Sequence, residues 1–302
     1  MEEIVKGIPG NPVKRGHAYG LVLVAASAFF WSTAGFFVRL LDLDVWTMIG
    51  WRSIFASLAL LLIVVMQHRH RSAWAFRAIG WPGLIAIPIS ALSMLGYVVA
   101  LKLTTVANVM IVYAMIPFVS AGIAFWWIGE RTRRGVLPAS AVALFGIIIM
   151  VGAAPRQDLA GNAMALLMTV TLAVVLVMAR RYPSISMAPV NCLAAALVAL
   201  VCWPLMATTL PSWQELLILA LFGVTTTALA YMLFLTGGRH LPSSEASLVA
   251  LLDVVLAPLW VWLAFSERPD RAAFIGGGFV LAAVVWYLLG ELHQSRTATR
   301  LR

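Results

Sequence analysis

One stretch of the chain occurs twice, and this duplication limits the possible folds more than any other feature. Val106–Ile128 is an apolar run followed by Gly-Glu-Arg, and Ala246–Phe265 is an apolar run followed by Ser-Glu-Arg. The two Glu-Arg pairs are 137 residues apart. A helix of ~20 residues, at ~1.5 Å per residue, crosses the ~30 Å hydrocarbon layer of a membrane. The repeat therefore predicts a membrane protein built from two related halves, a pattern typical of transporters.

Composition places the chain among integral membrane proteins. Of its 302 residues, 62% are hydrophobic and 11% are charged, and the mean hydropathy is +0.95. Soluble domains average about 45–50% apolar and ~25% charged residues, so a soluble globular fold is excluded. The net charge of +9 lies in short loops between apolar runs, which indicates a role in membrane topology. We therefore expect the lipid bilayer as a partner, and no nucleic acid.

Ten apolar runs predict ten transmembrane helices. Their expected boundaries are residues 18–40, 45–66, 79–101, 105–128, 135–153, 160–180, 187–206, 214–237, 244–265 and 272–291. The loops between them are too short to hold a soluble catalytic domain. We divide the chain into a flexible cytoplasmic tail at 1–17, a first five-helix repeat at 18–153, a second at 160–291 and a cytoplasmic tail at 292–302.

The positions of lysine and arginine predict the orientation of the chain. With the N-terminus in the cytoplasm, the loops on that side carry 15 of these residues and the loops on the other side carry five. Cytoplasmic loops are enriched in lysine and arginine, so both termini are expected inside. Five helices per half reverse the direction of the second half, so the repeats must be inverted in the membrane. We predict an all-α fold in which the inverted repeats surround a central cavity.

Several short motifs keep a characteristic order along both halves. They are Phe30-Trp31-Ser32, Trp51-Arg52-Ser53, Ala100–Thr105 with Gly129-Glu130-Arg131, and Ser266-Glu267-Arg268-Pro269. This order resembles the drug/metabolite transporter superfamily, in particular its ten-helix EamA-type exporters. The resemblance covers residues 18–291 and is strongest toward the aromatic amino acid exporters of bacterial inner membranes. The chain departs from the pattern at Asp253-Val254, where an acid followed by proline is frequent in the family.

Small and polar residues recur at helical spacing on five of the predicted helices. Residues three, four and seven positions apart share one face of a helix. Stripes of this kind gain little from facing lipid, but facing one another they line a cavity with aromatic walls and hydroxyl groups. The alternative is close packing of helices through small residues. The six residues that we predict to line the cavity are Trp31, Ser93, Tyr97, Tyr113, Tyr231 and Trp260.

Arg52 and Asp253 are the ionisable residues deepest in the predicted spans, and both belong to the candidate substrate-binding site. Charges at such depth are expensive and usually face the protein interior. Arg52 either extends outward to the interface, binds a substrate carboxylate or neutralises Asp253. Asp253 is a proton carrier, a partner for a substrate ammonium or the structural half of an ion pair. Because an adjacent arginine would hold it ionised, we expect Asp253→Asn to leave downhill transport largely intact.

Other kinds of chemistry find little support in the sequence. No histidine lies within a predicted span, and there is no phosphate-binding loop or nucleophile motif. Asp42 and Asp44 are similar to a two-carboxylate metal motif, but their four-residue turn favours a solvated loop. We therefore predict no metal site, no cofactor and no catalytic residue.

The sequence favours a secondary transporter over an enzyme. Aromatic walls suit an aromatic solute, and sparse charges suit a zwitterion that is held weakly enough to be released. We predict export of small amphipathic metabolites, aromatic amino acids among them, by alternating access across the bacterial inner membrane. One chain is sufficient for a complete cavity. The alternatives are an intramembrane lipid-modifying enzyme and a drug or nucleotide-sugar transporter of the same fold.

Overall fold

The computed structural model describes residues 12–69, 72–129, 136–153, 158–183, 185–241, 246, 249–250 and 252–300, and its regular structure there is helical. Seven segments are long and apolar enough to cross a membrane: His17–Leu40, Val45–Gln67, Gly80–Leu103, Val106–Ile128, Leu159–Arg181, Met187–Leu205 and Trp213–Gly238. Three shorter apolar helices occupy the remaining predicted positions: Pro138–Ile149, Leu252–Phe265 and Arg271–Trp286. The predicted all-α membrane fold is confirmed. In chain order we number the ten segments span one to span ten.

The helix boundaries agree with the predicted spans to within a few residues in most places. Spans one, four and eight are interrupted, and their parts are Pro12–Ser32 and Ala34–Leu40, Val106–Tyr113 and Ile116–Ile128, and Trp213–Gly223 and Ala230–Gly238. The full helices of spans five and ten are Val136–Ala153 and Arg271–Arg300. The tenth helix passes its predicted end near residue 291 because no glycine or proline follows Gly290. A short helix, Ser72–Arg77, joins spans two and three.

Each interruption has a local chemical cause or signature. In span one, the hydroxyls of Ser32 and Thr33 donate to the carbonyls of Phe29 and Phe30, both at 2.7 Å, and so compete with the backbone hydrogen bonds. In span four, Pro117 has no N–H to donate to the preceding turn. In span eight, Val224–Leu229 forms a π-helical turn, a feature that is frequent at functional sites.

The packing of the spans follows a pseudo-twofold exchange of each span with the one five places later. Under this exchange, the contact of span three with span six corresponds to that of span eight with span one, and both are present. Likewise, the contact of span three with span seven corresponds to that of span eight with span two. Span four packs on six as nine packs on one. Three further contacts join a span to its own counterpart, so the exchange leaves them unchanged: span two with span seven, span four with span nine and span five with span ten. This pairing is what two inverted repeats of five helices require.

The backbone shows the same repeat at single-residue resolution. Span four ends at Gly129 with φ of 72°, and span nine ends beside Ser266 with φ of 56°. These two positions are 137 residues apart, which is the offset found in the sequence. Both have the left-handed conformation that closes helices, usually at glycine. The residue that opens the duplicated motif therefore has a positive φ in both halves.

Candidate functional site

Four polar side chains from four different spans meet inside the helical bundle. Arg52 of span two and Asp253 of span nine are 6% and 5% exposed. Tyr97 of span three lies within electrostatic range of both, and Tyr113 of span four lies within range of Asp253 and Tyr97. Tyr113 is the last residue before the interruption of span four, where the helix is open. We call these four residues the central cluster.

Arg52 is held from the side of span eight. Its Nη2 donates to Oγ1 of Thr227 at 3.0 Å, and its guanidinium carbon lies 4.5 Å from the ring centroid of Phe222. Thr227 lies in the π-helical turn, and Gly223 just before it leaves no room for a side chain against the carbonyl oxygen of Arg52. The close approach of spans two and eight therefore buries Arg52, and its side chain does not extend outward to the interface.

Both charged members of the central cluster retain unused hydrogen-bonding capacity. Nε of Arg52 and Oδ1 of Asp253 are buried and have no hydrogen-bond partner within the described ranges. An ion pair between Arg52 and Asp253, one of the roles predicted for Asp253, is also absent among the described residues. Arg52 is turned toward Thr227 and Phe222 instead, so the adjacent arginine that was one reason to expect a silent Asp253→Asn is not in place. A buried donor and a buried acceptor without partners suit a ligand that supplies both.

The structure does not bring the remaining predicted site residues together in one wall. The ring of Trp31 is 5.3 Å from that of Phe234, and Nε1 of Trp260 donates to Oγ of Ser32 at 2.8 Å. These contacts join spans one, eight and nine. Ser93 donates to the carbonyl of Met168 at 3.2 Å, so its hydroxyl bridges spans three and six.

Tyr231 lies apart from the central cluster, on the wall of a cavity of about 260 Å³ between spans two, seven and eight. Its hydroxyl is hydrogen-bonded to Asn191 of span seven. The polar lining consists of Gln67, Ser186, Tyr231, Thr236 and Arg239, with Met187 and Met232 beside them. Since Gln67 and Arg239 are near the ends of their spans, the cavity lies at one face of the membrane. We call this face the cavity end.

An ion pair that the sequence did not predict joins two spans at the opposite face. Nε of Arg39, at the end of span one, lies 2.6 Å from Oε2 of Glu267 after span nine. Oε1 of Glu267 accepts from the backbone N–H of Val106, the first residue of span four, at 2.9 Å. Arg39 also donates to the carbonyl of Leu101 in the last turn of span three and to that of Thr104 just after it. We call this arrangement the latch, and its face the latch end.

The latch end also contains the turn that resembles a carboxylate metal motif. Asp44 accepts from the backbone N–H of Thr47 at 2.9 Å and so caps the helix of span two. Partial burial raises the pKa of the Asp44 carboxyl, but its hydrogen bonds with Thr47 outweigh this effect and leave the pKa below its usual value. Within the described ranges, no three His, Cys, Asp or Glu residues are grouped as a metal site would require.

Sequence comparison agrees with this architecture. The family model of the EamA-like transporter family matches residues 18–152 and again residues 158–289. This chain belongs to the EamA-like transporter family. The two matches divide it into the halves that the spans and their packing define.

Two further similarities extend over most of this EamA-family transporter. An uncharacterized transporter from Archaeoglobus fulgidus is 26% identical over 274 residues, which cover 88% of this chain and 95% of the relative. A crystal structure of another protein matches with a TM-score of 0.62 at 19% identity, covering 92% of this chain and 98% of the other. The structural likeness supports the fold alone, and the family supports membrane transport.

Proposed function

We propose that this EamA-family transporter exports small amphipathic zwitterions, with aromatic amino acids as the principal class. The observation that carries the proposal is the central cluster, in which an unpaired buried donor and an unpaired buried acceptor lie beside two tyrosines. A zwitterion with an aromatic side chain complements these groups. Within the described ranges Arg52 is the single buried cation, which is too little positive charge for a sugar nucleotide with two phosphates.

Each member of the cluster has a role in this proposal. Arg52 binds the carboxylate of the solute, because a guanidinium recognises a carboxylate by two parallel hydrogen bonds. Asp253 binds the ammonium group. The rings of Tyr97 and Tyr113 pack against the aromatic side chain of the solute, and their hydroxyls are available for hydrogen bonds. Trp31, Ser93, Tyr231 and Trp260 belong to the path that leads to and from the cluster.

The transport cycle that we propose follows from the inverted repeats. Residues 18–153 and 160–291 rock against each other and expose the central cluster to one face at a time. In support of this cycle, the latch joins spans one, four and nine at one face, and the cavity lies at the other. The charge distribution assigns the cavity end to the cytoplasm of a bacterial cell and the latch end to the outside. The conformation therefore corresponds to a state that loads from the cytoplasm.

The first test is solute flux in proteoliposomes with purified protein. L-Phenylalanine is compared with phenethylamine, which lacks the carboxylate, and with 3-phenylpropionate, which lacks the ammonium group. We expect Arg52→Gln to lower the flux of both carboxylates by about 10- to 100-fold, since a hydrogen bond to a charged group contributes roughly 1.5–3 kcal/mol. The flux of phenethylamine should change little.

Two variants control for damage to the fold. Arg52→Lys keeps the charge and should retain part of the flux, while Arg77→Gln removes a cation from the short helix between spans two and three and should match the wild type. Wild-type flux no faster than in protein-free liposomes would refute the proposed function. Equal losses for all three solutes in Arg52→Gln would refute the role of Arg52.

A further inference from the structure

The cavity between spans two, seven and eight has the size and lining of a site for a small solute. Its volume of about 260 Å³ is just below the range of about 300–1,000 Å³ that is usual for drug-sized ligands. An amide, three hydroxyls and one guanidinium line it beside two flexible methionines, a lining that suits an amphipathic molecule. Nothing in the family match assigns a role to this cavity.

Its charge selects the kind of solute. Arg239 is the one charged residue among the residues that line the cavity, all of which lie in the described ranges. Among the described residues, Nε2 of Gln67 donates to the sulfur of Met232 alone, at 3.4 Å, and a thioether sulfur is a weak acceptor that is easily exchanged for an oxygen. A guanidinium and an amide N–H at one mouth favour a carboxylate over an ammonium group.

One face of span eight connects this cavity with the central cluster. Thr227, Tyr231, Leu235 and Arg239 follow one another at intervals of four residues, so they lie along one face of the helix. The last three line the cavity, and the first holds Arg52. Tyr231 also packs against the two buried clusters that contain Leu60 and Val64 of span two.

The same helix explains why the cavity opens toward one end. Spans two and eight are in close contact at Gly223, where a side chain would collide with the backbone of Arg52. The π-helical turn follows at once and widens the helix. Beyond it the two spans leave a space between Gln67 and Arg239. The space is therefore built into the chain by a glycine and a π-helical turn at the level of Arg52.

We infer that this cavity is the first binding site of the transported solute, with Arg239 taking its carboxylate before the solute moves on to Arg52. The inference rests on the proposed function and adds a second, shallower recognition step to it. Binding at Arg239 is weak because the side chain is exposed at the mouth. A weak first site raises the local concentration of solute without holding it back from the central cluster.

Thiol labelling tests the site independently of transport. Ser186→Cys, in a background with Cys192→Ala and Cys202→Ala, is treated with a membrane-impermeant maleimide in inverted membrane vesicles, which expose the cytoplasmic face. We expect saturating L-phenylalanine and 3-phenylpropionate to slow labelling by about threefold or more, whereas phenethylamine leaves the rate unchanged. Labelling that all three solutes leave unchanged, or slow equally, would overturn the inference.

Transport kinetics test the role of Arg239. Arg239→Gln should raise the half-saturating concentration of L-phenylalanine about threefold and leave the maximal rate unchanged, because one exposed charge contributes little. Arg239→Lys should restore the wild-type value. The matched control is Arg180→Gln, which removes an exposed cation at the same end but outside the cavity. An effect of Arg180→Gln equal to that of Arg239→Gln would overturn the assignment to the cavity.

The two proposals fail in different ways. A chain that transports phenylalanine but shows no protection of Ser186→Cys contradicts the first binding site alone. Protection without flux contradicts export and leaves the site in place.

Discussion

The two ends of this transporter are built from related sequence but are in different states. At the latch end, Glu267 joins spans one, four and nine through Arg39 and the N–H of Val106. At the cavity end, spans two, seven and eight leave a polar space of about 260 Å³. The repeat places Glu130 at the position corresponding to Glu267, but it lies outside the described residues.

This difference shows how an inverted repeat can produce two unequal faces. The helices pair according to a pseudo-twofold exchange, so the framework is nearly symmetric. At the 137-residue offset Glu267 and Lys102 correspond to Glu130 and Arg239, whereas Arg39, the partner of Glu267, corresponds to the uncharged Leu176. Arg39 and Lys102 meet carbonyls at the latch end, where Lys102 donates to Leu41 and Leu43 at 3.2 Å each. Asymmetry of a few side chains on a symmetric framework is enough to favour one conformation.

Breaking the latch should have the largest effect on this comparison. Glu267→Gln removes the ion pair with Arg39 and weakens the bond from Val106. We expect the latch end to open about tenfold or more often, since charge-assisted hydrogen bonds contribute roughly 1.5–3 kcal/mol and this pair is partly exposed. The measurement is the labelling rate of Asn108→Cys, a buried position in span four, from outside the cell.

The matched control for the latch is Glu215→Gln at the same end. Glu215 accepts hydrogen bonds from Ser212 within its own helix cap. Its substitution therefore breaks no contact with another span. Asn108→Cys should be labelled at the same rate with and without Glu215→Gln. Equal labelling of Asn108→Cys with and without Glu267→Gln would show that the ion pair does not close this face.

A smaller effect is expected midway between the two ends, at Asp253. Asp253→Asn keeps an oxygen acceptor but loses the charge, so we expect the flux of L-phenylalanine to fall about fivefold. The flux of 3-phenylpropionate should be unchanged because it has no ammonium group. Asp42→Asn, in the turn between spans one and two, is the matched control.

The same measurement with an imposed pH gradient distinguishes two roles of Asp253. Accumulation of phenylalanine that is driven by the gradient in wild type and abolished in Asp253→Asn would make this residue a proton carrier. An equal loss for phenylalanine and 3-phenylpropionate would contradict ammonium recognition.

The smallest effect concerns the two turns that the repeat placed at opposite ends. Ser266 has φ of 56° and Gly129 has φ of 72°. Glycine adopts this conformation freely, whereas other residues lose about 1 kcal/mol there. Ser266→Gly should therefore raise the thermal unfolding midpoint in detergent by a few degrees, and Gly129→Ser should lower it.

Gly122→Ser provides the control for the two turns. Gly122 lies within span four with space around it and a helical backbone, so serine should be neutral or slightly favourable there. The same sign of change for Ser266→Gly and Gly129→Ser would refute the equivalence of the turns.

Local properties of the sequence were sufficient to predict the helical framework. Span positions follow from the length and hydrophobicity of each apolar run. Such a run forms a helix because, without water in the bilayer, its backbone N–H and C=O groups must bond to one another. The repeat could be found because the same pair, Glu-Arg, follows Gly129 and Ser266, which are 137 residues apart. Arg52 and Asp253 could be singled out because charges within a span are rare and costly.

The partners of these residues were decided only by the tertiary structure. Helical periodicity gives the face on which a side chain lies, but not which helix will approach that face or how closely. Arg52 turns to Thr227 and Phe222 rather than to Asp253 because Gly223 and the π-helical turn bring span eight against it. Arg39 and Glu267 are 228 residues apart and meet because spans one and nine pack together. Such contacts depend on distances between helices, which local hydrophobic patterns do not encode.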